Sequence, residues 1–309
     1  MVRNNYANEY RIMPAAEKVE HAQIQVENLE ESLEFYTSAM GLVELSAENG
    51  VTYLGAGRDG NYDLAITEGS PGIEHYAIRV PDEETIEAYK RRLEGIGVES
   101  KRTDREEPNQ EHGLRFRLPS GVQMEFVTTE DRDYQHSDEA MTARGGAAPL
   151  DIHHITYLTP NLKDEAEFFT EVLDFKLTEV VGTESEWQGA FLRRGDFHHD
   201  VAFFSFPGSK HVGLHHLAWK FTSIEHMKFF IDSISSAGVG LEFGIGRHYG
   251  GDGIYSYFLE PGGNRFELTT EMASIDTDTT RYTSPTDFMS AWGEVAVPDS
   301  FESGSGYVP

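Results

Sequence analysis

The sequence repeats itself, and the repeat limits the fold more than any other feature does. EHAQIQVENLEESLEFYTSAMGL (Glu20–Leu42) lines up with HHITYLTPNLKDEAEFFTEVLDF (His153–Phe175). Each segment opens with a strand-like run headed by histidine, then an Asn suited to cap a helix, Asn28 or Asn161. An amphipathic helical pattern follows, through Leu29, Leu33, Tyr36 and Met40 in one copy and Leu162, Ala166, Phe169 and Leu173 in the other. The match continues from IEHYAIRV (Ile73–Val80) to LHHLAWKF (Leu214–Phe221), and from FRLPSGVQMEFV (Phe116–Val127) to YFLEPGGNRFEL (Tyr257–Leu268). A chain that repeats at about 140 residues is two copies of one unit. Each copy reads as two βαβββ modules. The boundary falls in the polar, Gly/Ala-rich DYQHSDEAMTARGGAAP (Asp133–Pro149). The expected plan is therefore an arm over 1–15, a first unit over 16–132, a linker over 133–150, a second unit over 151–275 and an acidic tail over 276–309. The tail is expected to pack through Tyr282, Phe288 and Trp292.

Histidine doublets mark the second copy: His153–His154, His198–His199 and His215–His216. Neighbours on a regular strand point to opposite faces, so one member of each pair is expected inward and the other away. The repeat chooses between them. His21 aligns with His154, His75 with His216, and YDLAI (Tyr62–Ile66) with HDVAF (His199–Phe203). The second member is selected every time, leaving the first for a neighbouring layer or a supporting hydrogen bond. With Glu267, which aligns with Glu125, His154 and His216 suit a facial triad for a divalent metal. A single histidine here would be read as core or surface; the recurrence of the set argues for ligation.

At GRHYGGDGIYSYFLEPGGNRFEL (Gly246–Leu268) the chain resembles the extradiol ring-cleavage dioxygenases of the vicinal oxygen chelate superfamily, of the catechol 2,3-dioxygenase type. The resemblance covers about residues 16–275. His248, Tyr257, Glu260, Pro261, Gly263 and Glu267 fit its motif; Ser256 departs, standing where an aliphatic residue is usual. Tyr255 shares a strand face with Tyr257 and competes with it, though the spacing to Glu267 favours Tyr257.

The resemblance implies an α+β fold of two homologous domains, each with modules curling into an open barrel. It implies Fe(II), with Mn(II) as the variant, on His154, His216 and Glu267. His199 would be the acid–base residue, and His248 and Tyr257 would contact the substrate hydroxyls. The implied reaction is extradiol cleavage of a catechol by O2 to a 2-hydroxymuconic semialdehyde, in aromatic catabolism. The implied assembly is a homo-oligomer, either dimer or tetramer. The rival readings are a hydroquinone-cleaving dioxygenase, a glyoxalase and a non-catalytic aromatic binder. In the first copy Tyr62 replaces His199 and Arg115 replaces Tyr257, so His21, His75 and Glu125 are expected to be a structural vestige.

Composition narrows the partners. The formal charge is −28, from 25 Lys plus Arg against 53 Asp plus Glu. Such a surface repels phosphates, so nucleic acid and anionic membranes are not expected. It also suits a salt-adapted protein whose self-repulsion eases when ions screen it. There are no cysteines, which excludes disulfides and thiolate ligands. No apolar leader or spanning segment is read, and a cytoplasmic setting is the default. His112 and His226 read as surface residues. Trp187, Tyr249, Tyr255 and Trp292 are candidates for pocket or lid as much as for core.

Overall fold

The computed structural model describes residues 18–56, 60–130, 147–206, 210–293 and 297–309. The expected N-terminal arm and residues 133–146 of the linker lie outside these residues. The first half runs β1 (Lys18–Val26), α1 (Leu29–Glu34, continued by a π turn over Phe35–Ala39), β2 (Val43–Glu48), β3 (Val51–Gly55) and β4 (Leu64–Glu68). Its second module is β5 (Gly72–Arg79), α2 (Glu83–Gly95), β6 (Ser100–Arg102), β7 (Gln110–Arg117) and β8 (Gln123–Thr129). The second half repeats the order: β9 (Asp151–Leu158), α3 (Leu162–Glu171), β10 (Lys176–Gly182), β11 (Trp187–Arg193) and β12 (Val201–Phe204). Then come β13 (Gly213–Lys220), α4 (Ile224–Ser236), β14 (Phe243–Arg247), β15 (Ile254–Leu259) and β16 (Arg265–Thr270). The tail adds β17 (Arg281–Thr283), α5 (Pro285–Phe288) and β18 (Gly306–Tyr307). Among the described residues no helix is long and apolar enough to cross a membrane.

The two sheets have one topology. Strands run β2-β3-β4-β1-β5-β8-β7-β6 in the first and β10-β11-β12-β9-β13-β16-β15-β14 in the second, where β17 extends the β10 edge. The register repeats as well. His21 pairs with Ala77, which pairs with Glu125; His154 pairs with Ala218, which pairs with Glu267. Arg115 sits opposite Glu125, and Tyr257 opposite Glu267. The aligned residues therefore share one lattice position in each half.

Apolar helix faces close over the sheets. Tyr36 and Met40 are fully buried under α1, and Leu162, Ala166, Phe169 and Leu173 are buried under α3. Buried residues of both halves form one continuous core cluster. Asn28 caps α1 as expected, its side chain accepting from the Glu31 amide. Asn161 does not cap α3: its side chain makes no capping bond, and its own amide donates to Thr159 Oγ1. The capping interaction of the first copy has become a loop-closing one in the second.

Each half's tight turn reaches the other half. The Ser120 amide and hydroxyl donate to Glu165 on α3. The turn after β15 is closed by Glu260, which accepts from the Gly262 and Asn264 amides, and the Glu27 amide donates back to the Gly262 carbonyl. A Cβ on Gly262 would lie 2.6 Å from Val26, so this close approach requires glycine.

Candidate active site

The doublets do not follow strict alternation, and the reason is in the register. On β13 Leu214 pairs with Tyr157 and His216 with Thr156, leaving His215 as an extra residue. On β9 Ile152 pairs with Trp219 and His154 with Ala218, leaving His153 extra. Both first members are bulge residues, and a bulge turns two consecutive side chains toward the same side. They therefore lie beside their partners rather than across the sheet. Nδ1 of His153 is 3.2 Å from Nδ1 of His154, and Nδ1 of His215 is 2.6 Å from Nδ1 of His216. His198 and His199, ahead of β12, make the same contact at 3.1 Å.

These contacts fix tautomers. A carbonyl only accepts, so His215 donates from Nε2 to the Phe301 carbonyl at 2.8 Å. Its Nδ1 must then accept from His216 Nδ1–H, which leaves His216 Nε2 with a bare lone pair. A second relay runs through His198, whose Nε2 donates to buried Glu179 at 2.9 Å. With His198 as a neutral imidazole, its Nδ1 accepts from His199 Nδ1–H, and the free lone pair is on His199 Nε2. Burial works to raise the Glu179 carboxyl, but the bonds from His198 and Thr283 outweigh it and hold it below the usual range. Glu179 is therefore an anion that accepts.

His154, His216 and Glu267 converge. The two Nε2 atoms are 3.3 Å apart, and Glu267 Oε2 is 3.0 Å from each. All three side chains are buried. Ligands at right angles on a first-row divalent ion, with bonds of about 2.1 Å, are about 3 Å apart. Two imidazole nitrogens and one carboxylate oxygen, with the imidazoles' far nitrogens held by second histidines, fit such an ion. Burial lowers the His216 imidazole to about 4 despite Glu267. Burial also works to raise the Glu267 carboxyl, but His154, His216 and His248 hold it well below the usual range. Neutral imidazoles and an ionised carboxylate are the ligating forms.

The other expected residues ring this triangle. His199 is 4.2 Å from His154 between ring centroids. His248 Nε2 is 3.0 Å from the Tyr257 hydroxyl and 3.8 Å from Glu267 Oε1, and its Nδ1 donates to the Met289 carbonyl. Tyr255 lies behind: its ring stacks on His248 at 3.9 Å and its hydroxyl bonds Ser290. Burial and then Glu267 push the Tyr257 hydroxyl well above its usual pKa, so it keeps its proton. Burial, His154 and His198 push His199 well below, so it is neutral.

One cavity is lined by all six of these residues. Its apolar walls include Phe191, Phe204, Phe288 and Phe301. Phe191 lies 5.0 Å from Phe288, which lies 6.2 Å from His248. The cavity thus joins residues of β11 and β15, strands far apart in the sheet order, because the sheet curls.

The aromatic candidates divide here. Tyr249 and Trp292 are about half exposed and off the cavity, and Trp187 packs against the core. Tyr282 is also exposed; of the three tail anchors only Phe288 is buried, and Phe301 supplies the other. Strands β17 and β18 hold the tail by pairing with β10 and β5, a role its acidic composition hides. His112 and His226 are half-buried rather than free on the surface; His226 bonds the Ala148 carbonyl.

A family model for the Glyoxalase/Bleomycin resistance protein/Dioxygenase superfamily matches residues 18–126 and again 151–268. The chain belongs to this superfamily. Two superfamily modules in tandem account for the paired sheets. The manganese-dependent 2,3-dihydroxybiphenyl 1,2-dioxygenase of Geobacillus genomosp. 3 is 25% identical over 264 residues, covering 81% of this chain and 84% of that one. The metapyrocatechase of Geobacillus stearothermophilus is 26% identical over 273 residues, covering 84% and 82%. Among solved structures, the 2,3-dioxygenase LapB from Pseudomonas sp. KL28 superposes with a TM-score of 0.80 at 28% identity, covering 90% of this chain and 100% of LapB.

Proposed function

We propose that this superfamily member is an extradiol dioxygenase that opens a catechol or substituted catechol with O2 beside the hydroxyl pair. The observation that carries the reading is the Nε2, Nε2, Oε2 triangle of His154, His216 and Glu267 in one aromatic-walled cavity with His199, His248 and Tyr257. Relatives named as catechol and biphenyl-diol dioxygenases support it. His154, His216 and Glu267 would hold Fe(II) or Mn(II); one relative is named as manganese-dependent. The ion supplies Lewis acidity and open positions for a diol and O2.

The chain's own groups divide the remaining work. Phe191, Phe204, Phe288 and Phe301 exclude water and bound a flat apolar ring. The Tyr257–His248 pair presents a protonated phenol beside an imidazole, a route for the proton a diol hydroxyl gives up. His199 Nε2 arrives neutral, able to take a proton and return it to the opened product. The catalytic unit is assigned to 151–275, with 16–132 its non-catalytic counterpart. The setting proposed with it is a cytoplasmic homo-oligomer, which analytical ultracentrifugation of the metal-loaded protein tests.

The test of the reaction is to load the protein anaerobically with Fe(II), add catechol and admit air at low and high salt. Matched O2 uptake and a yellow ring-fission product are expected. Binding without O2 uptake at both salts overturns the reading in favour of an aromatic binder, and uptake only with hydroquinone overturns it in favour of a para-diol enzyme.

A further inference from the structure

The first half holds a second cage at the lattice position of the metal triangle. His21 Nε2 and His75 Nε2 are 3.3 Å apart, as their counterparts His154 and His216 are. A carboxylate that the repeat did not single out, Glu107, completes a triangle: Oε2 is 3.3 Å from His21 Nε2 and Oε1 is 3.3 Å from His75 Nε2. Glu125, the counterpart of Glu267, is 3.6 Å from His75 Nε2. These four side chains offer donor atoms within 4.8 Å of one another. Tyr62, in the place of His199, donates to Glu107.

What distinguishes this cage is Arg115, in the place of Tyr257. Its Nη2 is 2.6 Å from Glu125 Oε2, 2.7 Å from Glu107 Oε1 and 3.0 Å from His75 Nε2. A guanidinium has no acceptor, so His75 Nε2 spends its lone pair on Arg115. Both oxygens of Glu125 are also engaged, since Oε1 accepts from Gln110 and Thr103. One nitrogen cation thus touches three of the four groups a metal would need. Among the described residues no such cation touches the second-half cage; there the facing residue is a neutral phenol.

We propose that Arg115 is the built-in cation of a latent second metal site: its guanidinium stands in for a divalent first-row ion, and removing it turns His21, His75, Glu107 and Glu125 into a working cage. The two occupants exclude each other because they use the same lone pairs and because two cations would face only two carboxylates. The donor set, two imidazoles with carboxylates, is that of manganese, iron or zinc, not of calcium or a copper(I) thiolate centre. This inference does not depend on the reaction proposed above, because its readout is metal content.

The experiment strips the full-length chain with chelator, reloads it with Mn(II), desalts it and measures metal per chain. The wild type is expected to hold one ion and Arg115→Gln two, while Arg115→Lys, which keeps the positive charge, stays at one. In a His154→Ala/His216→Ala background the count falls to none with Arg115 and rises to one with Arg115→Gln. If Arg115→Gln does not fold, Arg115→Gln/Glu125→Gln removes one charge of each sign and still leaves the His21–His75–Glu107 triangle; it too is expected to hold two. Two ions in the wild type, or no gain over the Arg115 parent in either the single or the paired variant, overturn the proposal.

Discussion

Replacing Glu179 tests whether the Glu179–His198–His199 relay sets the active tautomer. Glu179 is fully buried and is the acceptor for His198 Nε2–H at 2.9 Å. In Glu179→Leu that N–H is stranded, at a cost of about 1–3 kcal/mol. His198 escapes by moving its proton to Nδ1, which then faces His199 Nδ1. His199 must accept there and carry its own proton on Nε2, the nitrogen proposed to act as base. At about 1.4 kcal/mol per factor of ten, kcat is expected to fall about 5- to 150-fold. Glu179→Gln keeps a carbonyl acceptor and is expected to lose less than about fivefold by the same arithmetic. Metal content and catechol KM should stay at wild-type values in both. The initial rate of ring-fission product under saturating catechol and O2 reads the effect. In a His199→Phe background Glu179→Leu should cost nothing further, because the group it positions is gone. A Glu179→Leu enzyme at wild-type kcat, or an equal loss in both backgrounds, refutes the relay.

His199→Phe itself should retain metal and lose about 10²- to 10⁴-fold in turnover, read by elemental analysis beside product formation. Glu267→Gln should lose metal on desalting that the wild type keeps, and unchanged content counts against the triad. His153 is held at about 3 by burial and then by His154, against an ordinary 6.5. Its stabilising contribution is complete above pH 6.5 and is lost as pH falls toward 3, so at pH 5.5 about 1.4 kcal/mol is gone. Urea midpoints at pH 7.5 and 5.5 should show that loss shrinking in His153→Asn, whose carbonyl still accepts from His154. Moving from 0.1 to 1 M salt shortens screening from about 10 to 3 Å, and with a charge of −28 the thermal midpoint should rise; a flat midpoint argues against salt adaptation.

The repeat made the module order and lattice positions legible, because burial forces the same side-chain types onto the same strands. His154, His216 and Glu267 could be aligned for that reason. The bulges could not be read: a bulge adds one residue to a strand without a compositional mark, so alternation assigned His153 and His215 to the wrong side. Glu20 and Glu74 are the extra residues at the matching bulges of β1 and β5, so the irregularity is itself repeated and belongs to the backbone plan. Glu107 was missed because it lies in the loop between β6 and β7, where the copies share no motif. Phe301 was missed because it lies outside the repeat. Glu179 had only a weak signal: it is an acid beside Val180 and Val181 in a short strand.

One backbone plan carrying two cages separates what holds a site from what makes it act. Both halves place two histidines and a glutamate at the same register positions, so the scaffold alone does not set apart the half proposed to be reactive. The decision falls on the residue opposite the glutamate and on what occupies the place of His199. Tyr257 and His199 are neutral groups with protons to exchange, and they leave the ligand lone pairs free. Arg115 is a permanent cation whose pKa is raised further: burial works to lower it, and Glu125 and Glu107 outweigh that. It can neither take up nor release a proton, so even with His21 and His75 in position the first half lacks the groups to run acid–base chemistry. In its place the half gains an ion pair of part-buried Arg115 with the buried side chains of Glu125 and Glu107 that needs no metal to close it. In the His154→Ala/His216→Ala background Arg115→Tyr should therefore bind one Mn(II) per chain without turnover, because Tyr62 still stands in the place of His199, the proposed base.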